Sequence, residues 1–398
     1  MSYDVVVSGA GPAGSKCAEV IAKAGYNVAL IEKDINFRKP CGGGIPRRSI
    51  YDFYPQLKRL NLVKKNYLAM FSADGHKLEQ TFEVADDDPI VMDRLEFDNL
   101  ARNVALDAGA ELFDKNVSYD FMYKNLNRVG IKTSTSMGKK DYLANIIIVA
   151  DGMSSKLANK SGLKAKWKPL DIGIGKAEIL EGESNLNPKG TYFLFKKYGY
   201  GWIFPIDNSK FNIGTITYHE NNLKYNIDNL YKEFLHESRN NNFLLKKNYK
   251  VLWSATFPEP ATGVLEDSLY GDNILLIGDT AGFVAPISGE GIHYAIESGQ
   301  IAGETAINAL EREDFTKNSL KEFKKHPKIK KIIRTFKFQR KFVNFFYEKE
   351  GANLNKTFKM AEENEEFKEI VKDTFIFGKT PPKDFILTIK GKNNIIIN

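Results

Sequence analysis

Asp4-Val5-Val6-Val7-Ser8-Gly9-Ala10-Gly11-Pro12-Ala13-Gly14-Ser15, followed after a helix-length gap by Val28-Ala29-Leu30-Ile31-Glu32-Lys33, is the stretch that decides the fold. An apolar run of β character ends at Ser8, and Gly9 permits a tight turn. Gly11 lets the backbone come close to a pyrophosphate, and Gly14 lets the following helix pack against the strand. The N-terminus of that helix, Pro12-Ala13-Gly14, offers unsatisfied N–H groups and partial positive charge to the phosphates. Glu32 ends the second strand, where its carboxylate can accept from a ribose diol. A lone Gly-x-Gly-x-x-Gly is a weak signal. Strand, turn, helix, second strand and terminal acid in that order predict an ADP-ribose-type ligand.

The 398 residues suffice for one large domain with an insertion, or for two to three domains sharing a core. A hydrophobic content of 42% with 27% charged residues is that of a water-soluble globular chain. No run approaches the ~18 apolar residues of a membrane-spanning helix. A strand that begins at residue 3 or 4 leaves no room for a signal peptide, so a cytoplasmic location is expected, compatible with a peripheral membrane contact. The two cysteines, Cys17 and Cys41, give neither a disulfide framework nor a metal spacing, and Cys17 reads as a small buried residue. The five histidines are scattered, so no metal is expected. The net charge of +7 is spread over many lysines that are not interleaved with a recognised binding fold, which argues against a nucleic-acid role.

Strands and helices alternate with glycine-rich turns to about residue 50, as in a doubly wound sheet. Asp93 is a plausible N-cap for a helix running from Arg94 to Ala108. Leu143–Ala150 reads as a buried strand ending at Asp151-Gly152. From about Ile172 to Trp253 the pattern turns β-rich, interrupted by a helical stretch near Asp228–Glu237. Asp272–Ile277 is a further buried strand, with a long helix from about Gly289 to Leu310. The remainder is helical and lysine-rich, and Lys390–Asn398 reads as a frayed end or an added edge strand. The nucleotide-fold pieces are thus separated by a β-rich insertion. That arrangement argues against a simple dehydrogenase and fits a chain that wraps an extended cofactor.

Gly278-Asp279-Thr280-Ala281-Gly282, with Pro286 and Gly289-Glu290-Gly291-Ile292, is the second strong signal. Asp279 at a strand end can accept from a ribityl hydroxyl. The Gly289–Gly291 turn opens a helix whose first N–H groups, through Ile292, can face the pyrimidine edge of an isoalloxazine and stabilise the reduced anion. Lys39-Pro40-Cys41-Gly42-Gly43-Gly44-Ile45-Pro46 cannot be an element interior. It suits a backbone pressed against a flat ligand, or a flexible loop with an incidental thiol. In Tyr200-Gly201-Trp202-Ile203-Phe204-Pro205 the period of two puts three aromatics on one face, which serves either a core or an apolar pocket. Arg94 can grip ribityl or phosphate oxygens, or pair with Asp98 one turn on. His293 reads as a helix-start histidine satisfied by a neighbour. Lys321–Lys341 carries Ile329, Ile332, Ile333 and Phe336 at helical spacing, with Phe342, Val343, Phe345 and Phe346 just beyond. This is an ordinary amphipathic helix or a surface for docking on an anionic membrane.

Gly9–Gly14, Glu32, Arg94, Asp151-Gly152 and Gly278–Gly291 together resemble the FAD-dependent oxidoreductases of the aromatic-hydroxylase fold, over residues 1 to about 310. Cys41-Gly42-Gly43 after Pro40, and Tyr-x-Trp-x-Phe-Pro at Tyr200–Pro205 with Gly214 nine residues on, resemble the geranylgeranyl reductase family within that fold. Ile216 stands where that family has a second glycine. The resemblance implies an α/β fold: a doubly wound, Rossmann-like FAD-binding domain built from separated segments, an inserted β-rich substrate domain and a helical C-terminal region. The expected division is 1–70, 93–165 and 261–312 for the cofactor, 71–92 and 166–260 for the substrate, and 313–398 for the C-terminal helices.

The resemblance also implies cofactor contacts from Gly9, Gly11, Ala13, Gly14, Glu32, Cys41, Gly42, Gly44, Arg94, Val117 (through its backbone), Asp279, Gly289, Gly291 and Ile292. Substrate contacts are expected from Tyr200, Trp202, Phe204 and Pro205, with Cys41, Tyr200 and Trp202 serving catalysis. The expected reaction is saturation of isoprenoid C=C bonds, in first place of an archaeal-type ether lipid, with geranylgeranyl diphosphate and a prenylated pigment as the other candidate substrates, by hydride from reduced FAD plus a proton. The alternative is an aromatic monooxygenase or halogenase, with a flavin module lacking substrate chemistry as a third class. Asp151-Gly-Met-Ser-Ser155-Lys-Leu-Ala158 lacks the arginine that flavin hydroxylases carry there, a site linked to NADPH. NAD(P)H and a ferredoxin-like protein therefore both stand as electron donors.

Overall fold

The computed structural model describes residues 2–46, 49–83, 89–163, 165–218, 221–240 and 249–391. Strand β1 (Ser2–Ser8) runs parallel between β2 (Val28–Ile31) and β10 (Gly138–Val149). The sheet continues through β7 (Glu111–Phe113) beyond β2 and β17 (Ile274–Leu276) beyond β10, both parallel. Strand β16 (Tyr270–Gly271) closes one edge, and the hairpin β8 (Val117–Lys124)–β9 (Asn127–Thr135) joins antiparallel to β10. Three separated stretches of chain therefore build one eight-stranded sheet. Val5–Val7 and Ile146–Val149 are fully buried, as strands covered on both faces must be.

Helix α1 (Pro12–Lys23) packs against α3 (Arg94–Asp107) and α7 (Ile292–Glu311). Side chains are excluded where α1 meets its neighbours. A Cβ on Gly14 would lie 1.8 Å from the Gly9 carbonyl oxygen, one on Gly299 2.2 Å from that of Ala13, and one on Gly303 2.9 Å from Val20 Cβ. Cys17 is fully buried in the same contact. Asp93 caps α3 by accepting from the Leu95 N–H at 2.9 Å.

The second sheet has seven strands, in the order β15 (Lys250–Pro260), β11 (Ile172–Glu181), β14 (Lys210–Thr217), β13 (Gly199–Pro205), β12 (Gly190–Lys196), β4 (Tyr67–Phe71) and β5 (Lys77–Thr81). All neighbours are antiparallel except β12 and β4. Helix α6 (Ile227–Asn240) covers one face, burying Tyr231 and Phe234 against Ile203, Phe211 and Ile213. Tyr200, Trp202 and Phe204 point to the other face, as the period of two requires. A two-stranded pair, β3 (Gly44–Ile45) and β6 (Ile90–Val91), lies apart from both sheets. Helices of four or five residues, α2 (Ile50–Phe53), α4 (Lys156–Lys160), α5 (Asn221–Lys224), α8 (Lys317–Leu320), α9 (Glu322–Lys325) and α13 (Phe385–Ile389), turn the chain between longer elements.

Helix α10 (Pro327–Tyr347) corrects the membrane-docking reading of its apolar stripe. Ile329, Ile332, Ile333 and Phe336 are buried in the core of the first sheet. Phe342, Val343, Phe345 and Phe346 are buried with α11 (Ala352–Glu363) and α12 (Glu365–Phe375) in the core of the second. The stripe rivets the two halves together, and only the basic face, including Lys330, Lys331 and Arg334, meets solvent. No helix among the described residues is long and apolar enough to cross a membrane. Residues 392–398 of the expected frayed or edge-strand tail lie outside the described residues.

Gly299→Ala is the most direct test of the α1–α7 contact. It places a methyl against backbone that cannot yield, so thermal unfolding should show a loss of about 1–3 kcal/mol.

Candidate functional site

Four of the expected cofactor segments sit at the carboxyl ends of parallel strands, where open α/β sheets bind ligands. Gly9 follows β1, Glu32 follows β2, Asp151 follows β10, and Gly278-Asp279 follows β17. They line a cleft of about 1500 Å³, joined by Gly11, Ala13, Arg94, Val117 and Lys39. Glu32 is fixed by backbone donors: the Ala10 N–H at 2.8 Å on Oε2, and Lys33 and Asp34 at 2.8 and 3.1 Å on Oε1. Gly9 holds a positive φ of 102°, which brings β1 against Ala150. Gly11, the N-cap of α1, has open space where a Cβ would be. Gly9 and Gly14 are thus demanded by packing within the protein, whereas nothing in the protein demands Gly11.

Arg94 pairs with Asp98 at the cleft. Its guanidinium contacts Asp98 through Nε and Nη2, each at 3.1 Å, while lining the cleft. Asp279 forms an ion pair with Lys39, a residue whose role has no signature in the sequence. Arg102, also buried in the cleft wall, donates to the carbonyls of Ala10 at 3.3 Å and Ile35 at 2.8 Å. Thr280 Oγ1 ties the two acidic turns together, accepting from Gly152 N–H at 2.9 Å. Burial pushes the Asp151 carboxyl up to about 6. Its enclosed Oδ1 meets no donor among the described residues.

The second cavity, about 1080 Å³, lies under the aromatic face of β13. Tyr200, Trp202 and Phe204 form its wall with Phe193 and Phe195 of β12, while Phe375, Ile376 and Phe377 close it from the end of α12. Phe193 meets Phe204 edge-on at 5.2 Å, and Phe195 meets Phe375 edge-on at 5.1 Å. Ile216, buried in β14, occupies part of this wall. Pro205 does not line the cavity; its carbonyl accepts from the buried Lys65 ammonium at 2.5 Å. Lys65 also donates to Pro188 at 2.6 Å, and burial lowers its pKa to about 8.

Residues 39–46 run from one cavity into the other: Lys39 and Pro40 line the cleft, Cys41 to Pro46 the pocket. Protein contacts shape this loop closely. A Cβ on Gly42 would lie 2.8 Å from Phe204 and 2.9 Å from Trp202 Nε1; one on Gly43, at φ 70°, would lie 2.2 Å from the Met92 carbonyl. Asn212 of β14 holds the loop, accepting from Trp202 Nε1 at 2.9 Å and donating to the Cys41 carbonyl at 2.7 Å. Gly289, Ser288 and Glu290 reach the pocket, where Tyr200 donates to the Ser288 carbonyl at 2.9 Å. Gly291 caps α7 without lining either cavity, and Ile292 buries its side chain beside Ile45, Phe97 and Ile296. His293 lies outside both linings, 3.2 Å from Ser49 through Nδ1. Among the described residues no cluster could hold a metal ion.

Sequence reasoning missed Lys39, Phe193, Phe195, Glu259 and Phe375–Phe377. The alternation Phe193-x-Phe195 was a signal available in the sequence. Glu259, between Pro258 and Pro260, and the phenylalanines ending α12 enter the site through tertiary packing that no local pattern announces.

No protein-family model matches the chain. It is 32% identical over 342 residues to the digeranylgeranylglycerophospholipid reductase of Methanocaldococcus jannaschii, covering 82% of this chain and 83% of that one. Digeranylgeranylglycerophospholipid reductase 2 of Methanococcoides burtonii is 29% identical over 330 residues, 81% and 79% of the two chains. In fold, the chain is similar to a geranylgeranyl bacteriochlorophyll reductase-like protein of Thermoplasma acidophilum. The TM-score is 0.82 at 22% identity, over 98% and 96% of the two chains. A flavin-dependent brominase shares the fold at a TM-score of 0.71 and 18% identity, over 98% and 99%. Identity and coverage of the first relative place this chain in the digeranylgeranylglycerophospholipid reductase family.

Proposed function

We propose that the chain is an FAD-dependent reductase that saturates C=C bonds in the geranylgeranyl chains of ether lipids. The observation that carries this reading is that the two cavities adjoin: Phe257 lines both, and the loop 39–46 passes from the strand-end cleft to the aromatic-walled pocket. FAD fits the residues present. The open space at Gly11, the carboxylate of Glu32 fixed by three backbone donors, and the unpartnered Asp151 Oδ1 are features an adenine dinucleotide would use. Gly9, Gly11, Ala13, Gly14 and Glu32 would hold the ADP half, with Val117 beside the adenine. Arg94, Asp279 and the turn at Gly289 would hold the flavin half, with the loop of Cys41, Gly42 and Gly44 against its ring.

Bound and reduced, FAD supplies a hydride. The protein's own task is to hold an isolated alkene still, keep water out and deliver a proton. Phe193, Phe195, Tyr200, Trp202 and Phe204 present ring faces that accommodate a polyene chain and stabilise positive charge developing on carbon. Asn212 fixes the Trp202 indole and the Cys41 carbonyl relative to one another. Electrons come from NAD(P)H or a ferredoxin-like protein. Contact of α10 with an anionic membrane, which a lipid substrate favours, would run through its lysine face and not its buried apolar stripe.

Anaerobic incubation of the dithionite-reduced protein with geranylgeranyl lipids should give products heavier by steps of about 2 Da, one per double bond. Rapid NADPH-linked oxygen consumption with a hydroxylated product would instead identify a monooxygenase. Trp202→Ala should abolish the mass gain with FAD content unchanged, whereas Gly11→Ala should empty the protein of FAD without lowering the stability of the apoprotein. Asn212→Ala leaves two buried groups unpaired and should cost about 1–3 kcal/mol. The same change frees the loop, so thiol reagents should modify Cys41 faster, with Cys17, fully buried, unreactive until unfolding.

A further inference from the structure

Glu259 is the one carboxylate of β15 that faces the apolar pocket, and nothing in the cofactor reading uses it. Its neighbours place it at the seam between the cavities. Phe257 lines both, Pro258 lines the cleft, and Glu259 itself lines the pocket. A Cβ on Gly289 would stand 3.5 Å from its Oε1 and 2.7 Å from the Tyr200 hydroxyl. The carboxylate therefore sits beside the turn proposed to meet the flavin and at the head of the aromatic face. Among the described residues it makes no hydrogen bond or ion pair, unlike Asp98 and Asp279, which are both paired. An acid with no structural partner, half-buried and turned into an apolar pocket, is poorly explained by stability. It is well placed to hold a proton.

We propose, resting on the reductase reading above, that Glu259 is the proton donor for alkene reduction. One alkene carbon would receive the hydride that reduced FAD supplies, and the other would take the proton of the Glu259 carboxyl with the electron pair of the C=C bond. Two C–H bonds form, the π bond is lost, the flavin is oxidised by two electrons, and the carboxylate left behind is reprotonated from water. Burial raises the Glu259 carboxyl to about 8, with Lys39 opposing and Asp279 reinforcing the shift. The acid form is thus available at neutral pH, as a general acid requires. The titratable groups facing it are Lys39, Asp279, Tyr200 and Tyr218. Tyr200 and Tyr218 are held well above their ordinary value by burial and do not ionise in this range.

The test compares wild type with Glu259→Gln as FAD-loaded proteins. In single turnovers with geranylgeranyl lipid, the variant should bind FAD and accept dithionite electrons normally yet saturate alkenes ~10²–10⁴-fold more slowly. Wild-type turnover should fall as pH rises through about 8, and the variant's residual rate should lose that step. A second readout needs no turnover. A carboxyl whose folded pKa is raised favours folding below its unfolded value near 4.5 and loses that contribution as pH rises through about 8. The melting temperature of apo Glu259→Gln minus that of wild type should therefore increase between those limits and then level off. Equal turnover rates in the two proteins, loss of FAD from the variant, or a melting difference independent of pH would each overturn the assignment. If Glu259→Gln does not fold, Glu259→Asp takes its place, and an unaltered pH profile in that variant overturns it. Wild type failing to reduce any geranylgeranyl lipid while the melting difference behaves as stated would sink the reductase reading and leave the acid in place.

Discussion

The structure depends on how near α1 can come to its neighbours. Ala13 and Gly14 lie against the Gly9 turn on one side and against Gly299 on the other, at distances that leave no room for a side chain. This contact fixes the start of α1 relative to the ends of β1, β2 and β17, and so sets the width of the cleft. It also fixes α7, and with it the turn Ser288–Glu290 just ahead of that helix, which forms the floor of the second cavity. One steric requirement therefore sets the geometry of both cavities, although Gly14 and Gly299 are separated by most of the chain. Purely apolar packing would tolerate small shifts here; a backbone oxygen against a missing methyl does not.

Glycines that look alike in sequence have different physical causes. Gly42, Gly43 and Gly44 suggest a backbone pressed against a flat ligand. Their first neighbours are in fact Phe204, Trp202 and the Met92 carbonyl. The loop is shaped by the aromatic strand before any cofactor arrives, and Asn212 makes the connection directional by bonding both. Gly11 is the opposite case, since the protein leaves the space beside it open.

The nucleotide half of the fold was legible because its signals are local: a strand end, a turn glycine, a cap such as Asp93, a terminal acid. The aromatic face of β13 was legible as a face, because period two is enforced by the pleat. What it faced was not. The same holds for α10, where spacing identified an apolar stripe and could not say whether protein or lipid covered it. Lys39, Glu259 and Phe375–Phe377 were out of reach for a related reason. Each enters the site through contacts between elements far apart in sequence, and its own neighbours show no periodicity that marks it.

The second cavity has a floor from the nucleotide half, a wall from the inserted sheet and an end wall from the close of α12. These three contributions are unequal in how freely they can vary. Floor and wall are tied to the loop 39–46, the floor through the turn at Gly289 and the wall through the hydrogen-bonded Asn212. The end wall packs on Phe346 and Phe358 of the C-terminal helices and touches the sheet wall at Phe195. Lengthening or shortening a side chain at Phe375 would move the far boundary and would be felt on the aromatic face first at Phe195. The C-terminal helices thus set the length of the second cavity through a boundary of apolar side chains, with no glycine in it.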